Sequence, residues 1–147
     1  MTEQNTSVLG SVHHHGITVS DVEEALTFYR DRLGFDLQDR FQFSSDSFDR
    51  FVDVEGADVT VVFVGTDDFS IELLEYREPP GKNPIDHIEN NDVGATHLCF
   101  EVDDAHAVYQ SLLPEVDFVS EPQTLENGAT VAYMRDPDGN LVEILEE

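Results

Sequence analysis

The chain contains no tryptophan, one cysteine and one lysine, and each scarcity removes a class of explanation. With Cys99 alone, no disulfide can form within the chain, which suits a reducing compartment. Seven basic residues stand against 32 acidic ones, for a net charge of −25. Nucleic acids and anionic membranes both require Lys/Arg patches, so neither is expected as a partner. No run approaches the ~18 apolar residues of a membrane span. Met1–Gly10 is polar, with no apolar segment of the signal-peptide kind. The expectation is a soluble, cytoplasmic protein. The acids are spread between apolar, periodic segments instead of forming a tail. That distribution fits a high-salt cytosol, where the like charges are screened.

Against those absences stand a 39% apolar content and ten Phe and four Tyr, enough to pack an interior. At 147 residues the simplest organisation is one domain, or two small modules sharing a core. The sequence favours two modules, because one pattern occurs twice. His14, Val19 and Asp21 are followed 83 residues later by His97, Val102 and Asp104. Each copy runs a histidine-bearing strand into an Asp-capped helix. In the first, Val12–Val19 alternates as a strand, with His14, Gly16 and Thr18 on one face and His13, His15 and Ile17 on the other. Ser20 or Asp21 caps a helix that carries apolar residues at helical spacing to Leu33 and stops at Gly34. Strands are expected at Phe35–Phe43, Val59–Val64 and Phe69–Tyr76, with a helical turn within Phe48–Val54. Pro79-Pro80-Gly81 and Pro84 exclude regular structure between the copies. The second copy is expected to have a strand at Ala95–Val102, a helix at Asp103–Leu113, and strands at Val116–Ser120, Thr130–Met134 and Leu141–Leu145. The fold class is therefore α+β: two tandem βαβββ modules with curled mixed sheets about a shared cavity. A flexible tail is expected at 1–10, module one at 11–78, a linker at 79–93 and module two at 94–147.

The closing strands match as well. Ser70–Glu75 and Leu141–Glu146 place Glu72 and Glu143 at equivalent positions, each between aliphatic neighbours. A carboxylate so flanked is costly to bury unless it is paired or bound to a cation. If both sheets curl about a common axis, His14, Glu72, His97 and Glu143 converge. Two imidazoles and two carboxylates suit a divalent ion such as Ni, Zn, Co, Mn or Fe. The alternative is that the glutamates are surface strand carboxylates of an acid-rich protein, Glu75 and Glu146 being solvated in any case.

These motifs resemble the vicinal oxygen chelate superfamily, the glyoxalase, epimerase, extradiol dioxygenase and bleomycin-resistance fold. The resemblance runs from Val12 to Glu146. It rests on H-x-G-I-T-V-S-D and F-Y-R-D-x-L-G-F in the first module, I-E-L near its end, H-L-C-F-E-V-D-D in the second, and D-P-D-G-N-L-V-E at the close. It implies that the metal ligands are His14, Glu72, His97 and Glu143, the positions the duplication had picked. It also implies a lyase or isomerase, similar to lactoylglutathione lyase, which moves a proton next to a metal-chelated carbonyl of a small substrate. Glu143 or Glu72 would be the base, with Glu143 favoured.

Competing readings within the resemblance are an extradiol-type ring-cleaving dioxygenase, with a His-His-Glu triad, and an isomerase similar to methylmalonyl-CoA epimerase. A metal-free small-molecule binding protein is a third. Thr18 stands where glyoxalase I carries an arginine, and Tyr76 near its asparagine. Both departures point away from glutathione. Methylmalonyl-CoA epimerases often carry glutamine at the Glu72 place, and coenzyme A calls for basic side chains that this chain has few of. Thr18, Phe41, Phe43, Tyr76, Cys99 and Tyr133 are candidate pocket residues. Glu101 is a candidate neighbour of the site, Phe48, Phe51 and Met134 are open between pocket wall and core, and His13, His15, His87 and His106 are expected to be incidental. A homodimer is expected.

Overall fold

The computed structural model describes residues 7–147. Of the tail expected at 1–10, residues 1–6 lie outside the described residues, and 7–10 are exposed without strand or helix. A four-stranded and a five-stranded sheet make up the fold, one per module. The first contains β1 (His15–Thr18), β2 (Asp36–Phe43), β3 (Asp58–Gly65) and β4 (Ser70–Glu78), in the order β1-β4-β3-β2. The second contains β5 (His97–Glu101), β6 (Asp117–Phe118), β8 (Thr130–Arg135) and β9 (Leu141–Glu146), in the order β5-β9-β8-β6, with the short β7 (Gln123–Thr124) added beside β8. In each sheet the first strand runs parallel to the last, and the remaining pairs are antiparallel.

The helices are α1 (Val22–Leu26), α2 (Asp46–Val52) and α3 (Ala105–Leu112), with a 3-10 turn at Ile85–His87 inside the linker. The helix expected from Ser20 to Leu33 changes character midway. After Leu26 it widens into π turns over Thr27–Arg32, closed by Leu33 N–H donating to Phe28 O. Asp21 and Asp104 cap α1 and α3, each accepting from backbone N–H groups of the first turn. A second carboxylate reinforces each cap. Glu75 accepts from Val22 N at 2.8 Å, and Glu146 from Ala105 N at 2.8 Å. Glu75 and Glu146 are thus not simply solvated. Each reaches from its closing strand to a helix N-terminus, where the positive end of the dipole favours an anion. This second duplication went unread because the partner is backbone and leaves no mark in the side-chain pattern.

One core joins the modules. Val62, Val64, Ile71 and Leu73 of the first sheet and Leu26, Phe28 and Tyr29 of the first helix pack with Met134, Val142 and Ile144 of the second sheet. Phe100 bridges the two modules, with ring centroids 5.4 Å from Phe35 and 5.0 Å from Phe69. Met134 is buried, which places it in the core and not in a pocket wall. β3 is buried on both faces, since its Val59 and Val61, with Ala57 beside them, are covered on the other side by Phe48 and Val52 of α2 and by Val54. Edge strand β2 is exposed throughout, and a register shift between Leu37 and Asp39 interrupts its pairing with β3.

Among the described residues Asp136 is the only buried carboxylate. It sits in the turn before β9 and accepts from Tyr29 Oη at 2.8 Å, from Asn140 N and Nδ2, and from Asp138 N. Tyr29, fully buried in the first module, is thereby pinned to the second. Burial raises the Asp136 pKa most, against hydrogen bonds from Asn140, Tyr29 and Asp138 that lower it. A raised carboxyl favours the folded chain most fully below the ordinary carboxylate range. That contribution falls away as pH climbs through the raised value. Tyr29→Phe should cost roughly 1–3 kcal/mol in urea unfolding, the penalty for a buried acceptor losing a donor. Asp136→Asn should flatten the loss of stability on going from pH 4 to pH 7.

Candidate functional site

The alternation along β4 turns Ile71 and Leu73 into the core and Glu72 to the other face of the sheet. β9 does the same with Val142, Glu143 and Ile144. On those outer faces each glutamate meets the histidine of its own module. His14 Nε2 lies 3.3 Å from Glu72 Oε1, and His97 Nε2 lies 3.0 Å from Glu143 Oε1. His14 falls one residue before β1, so the strand is shorter than the expected Val12–Val19.

The register gives both pairs the same surroundings, filled with different side chains. Glu72 faces Gly16 on β1 and Phe63 on β3, whereas Glu143 faces Cys99 on β5 and Tyr133 on β8. A methyl group at Gly16 would come to 3.3 Å from Glu72 Oε1, so glycine leaves that carboxylate room. Phe63 packs edge-on against His14, with centroids 5.4 Å apart. The second pair is more polar. Tyr133 Oη lies 3.3 Å from His97 Nδ1, and the Cys99 thiol hydrogen-bonds Glu143. Burial, followed by the nearby Glu143 charge, raises the pKa of both Cys99 and Tyr133, keeping them protonated as donors. In the first pair the Nδ1 contact comes from an unexpected residue: His13 Nδ1 lies 2.8 Å from His14 Nδ1. His13 was expected on the opposite face, but with no strand pairing before His15 its side chain is not bound to the alternation.

The pairs fit a cation. Two ligands about 2.1 Å from one ion stand roughly 3.0–3.4 Å apart, which is how far each Nε2 is from its carboxylate oxygen. Both Nε2 atoms face the carboxylates, and both Nδ1 atoms have a neighbour that can fix the tautomer, as is usual for a metal-bound imidazole. The four residues do not come together within the chain. Among the described residues, no group of three or more His, Cys, Asp or Glu side chains is placed to hold a metal ion.

The remaining pocket candidates divide. Phe41 and Phe43 stack 5.9 Å apart on the open face of β2, and Phe43 stacks on Phe48 at 5.0 Å. Through Phe63 this aromatic row reaches His14. Phe51, 81% exposed, ends it. Thr18 and Tyr76 line a cavity of about 610 Å³ beside the first pair. Burial and the Glu72 charge raise the Tyr76 pKa. Glu101, His87 and His106 are exposed.

A protein of two βαβββ modules, each offering one His–Glu pair on its outer sheet face, is the class that fold and site define. The chain belongs to the Glyoxalase/Bleomycin resistance protein/Dioxygenase superfamily, whose sequence profile matches residues 11–144. It is 30% identical to the mitochondrial methylmalonyl-CoA epimerase of Dictyostelium discoideum over 95% of this chain and 80% of that protein. It is 28% identical to a 2-epi-5-epi-valiolone epimerase of Actinomyces sp over 92% of this chain and 78% of that one. Among solved structures, a glyoxalase family protein from Bacillus cereus superposes with a TM-score of 0.84, at 22% identity and 99% coverage of both chains.

Proposed function

We propose that the protein is a divalent-metal-dependent isomerase or lyase that moves a proton on a carbon beside a carbonyl of a small substrate. The observation that carries this reading is the duplicated pair, His14 with Glu72 and His97 with Glu143 at ligand-to-ligand separations. The two relatives named as epimerases support it. Four ligands complete the site, and one chain presents them as two separate halves. The complement of each half is therefore the other half of a second copy, making a homodimer with two sites. The exposed aromatic row on β2 lies beside the first half and gives the second copy an apolar surface to cover.

His14, Glu72, His97 and Glu143 would hold the ion. A divalent ion bound there supplies Lewis-acid polarisation of the substrate carbonyl. The chain's own groups do the rest. Tyr133 Oη accepts from His97 Nδ1, leaving Nε2 free to ligate. Gly16 leaves space at Glu72 for a substrate atom. Glu143 takes up and returns the proton, and its neighbour Cys99 is a protonated donor that stabilises the carboxylate between transfers. The apolar Phe63 and Gly16 around Glu72 leave that half better suited to hold substrate than to shuttle protons.

Three outcomes are expected. Purified protein should contain about one divalent ion per chain by elemental analysis, lost in His14→Ala and in Glu143→Ala; full occupancy in both variants would remove the ligand assignment. Incubation in D₂O with acyl-thioester epimers or α-ketoaldehyde thiol adducts should exchange the carbon-bound proton. Oxygen uptake with catechols and no exchange would favour the dioxygenase reading instead. Tyr133→Phe should weaken metal binding by about tenfold to a hundredfold, the usual effect of removing a ligand's hydrogen-bond partner.

The acid surplus supports a high-salt setting. All the described carboxylates except Asp136 stay in contact with solvent, where dissolved salt screens their repulsion. The melting temperature should rise as KCl goes from 0.1 to 2 M. A melting temperature that falls or stays flat would contradict it.

A further inference from the structure

A cavity of the molecule lies beside the His14–Glu72 pair, not on it. Glu72 pairs in register with Gly16, and Leu74 with Thr18. The cavity begins at Thr18, so it lies roughly 7 Å farther along the same two strands. Thr18, Val54 and Tyr76 form its floor, and the linker segment from Pro79 to Ile85 forms its outer wall. Its volume of about 610 Å³ falls within the roughly 300–1,000 Å³ of small-molecule sites.

The outer wall is tied down. Asn83 Nδ2 donates to Asp138 O at 3.4 Å, and Asn83 Oδ1 accepts from Ile85 N at 3.0 Å. Ile85 packs so closely on Gly139 that a methyl group there would meet Ile85 Cγ2 at 3.0 Å. The turn carrying Asp138 and Gly139 is itself held by Ser20, whose N and Oγ donate to the two Asp138 carboxylate oxygens at 2.9 and 2.5 Å. The linker, the β8–β9 turn and the β1–α1 junction thus lock one another around the cavity.

The charge on that wall runs against the composition. Lys82, the only lysine in a chain of net charge −25, faces the cavity. Among the described residues it makes no ion pair, and the one acid on the wall, Asp138, spends both oxygens on Ser20. The rest of the lining is dominated by Val, Tyr, Pro and Ile. An apolar cavity with one unpaired cation, in a molecule that repels anions elsewhere, is built for a ligand with one negative charge.

We propose that this cavity holds the non-reacting end of the substrate, an apolar acyl or aryl body tipped by a single carboxylate that Lys82 receives. The inference rests on the proposed reaction for the identity of the substrate's other end. Its test does not, since binding is measured without metal or turnover. A cavity that binds while metal analysis fails would separate the two readings, as would the reverse.

The probes are 4-phenylbutyrate, its neutral amide and free coenzyme A, titrated calorimetrically into the metal-stripped full chain at fixed salt. The acid should bind roughly tenfold tighter than the amide, the scale of one charge-assisted hydrogen bond. Coenzyme A, with several negative charges against one cation, should bind more weakly than the acid. Lys82→Gln should remove the preference for acid over amide while keeping amide binding, and Lys82→Arg should restore it. Thr18→Phe, which fills the floor from an exposed strand position, should abolish binding of both with the melting temperature maintained. Equal binding of acid and amide, a preference that survives Lys82→Gln, coenzyme A binding as tightly as the acid, or no binding by the folded protein would each overturn the proposal.

Discussion

A carboxylate between two buried aliphatic residues, on a strand whose alternate side chains go to opposite faces, is the constraint on which this molecule depends. Ile71 and Leu73 must enter the core, so Glu72 cannot; Val142 and Ile144 impose the same on Glu143. The packing that joins the modules is therefore what presents the two glutamates to their histidines. Slipping either strand by one residue would bury the glutamate and expose the aliphatics, an error the core strongly resists. Site geometry and stability share one set of residues.

The duplication carries differences that matter chemically. Gly16 and Phe63 around one glutamate give space and an apolar wall. Cys99 and Tyr133 around the other give protonated hydrogen-bond partners. Two similar halves are thus biased towards different tasks, one for holding and one for proton handling. The linker after β4 folds back over Thr18 and Tyr76 to enclose a cavity beside the first of these halves.

Much of this was legible from residues alone, for identifiable reasons. The spacing of His14 to His97 and the Ile-Glu-Leu and Val-Glu-Ile strands indicated the module order, the closing strands and one histidine with one glutamate per module; that each histidine meets the glutamate of its own module came from the structure. Features resting on backbone or distant contacts were not legible. The caps made by Glu75 and Glu146, the π turns after Leu26 and the Nδ1 contact of His13 with His14 leave no periodic trace. Nor could the sequence say whether the two halves meet within one chain. Sheet curl and module packing decide that, and they depend on many side chains at once. The shared core of Leu26, Tyr29, Met134 and Ile144 is compatible with two half-sites that stay apart.

The central claim is that half-sites from two copies of the chain hold one ion. It is tested most directly by mixing two inactive variants, His14→Ala and His97→Ala, after dissociating and reassociating the dimers, and measuring tightly bound metal. In a mixed dimer the intact first half of one chain meets the intact second half of the other. Half the dimers in an equal mixture are mixed and each regains one of two sites, so the account predicts recovery of about a quarter of wild-type metal content. If the mixture binds no more metal than the separate variants, while wild-type protein treated identically regains its full content, the shared site is contradicted.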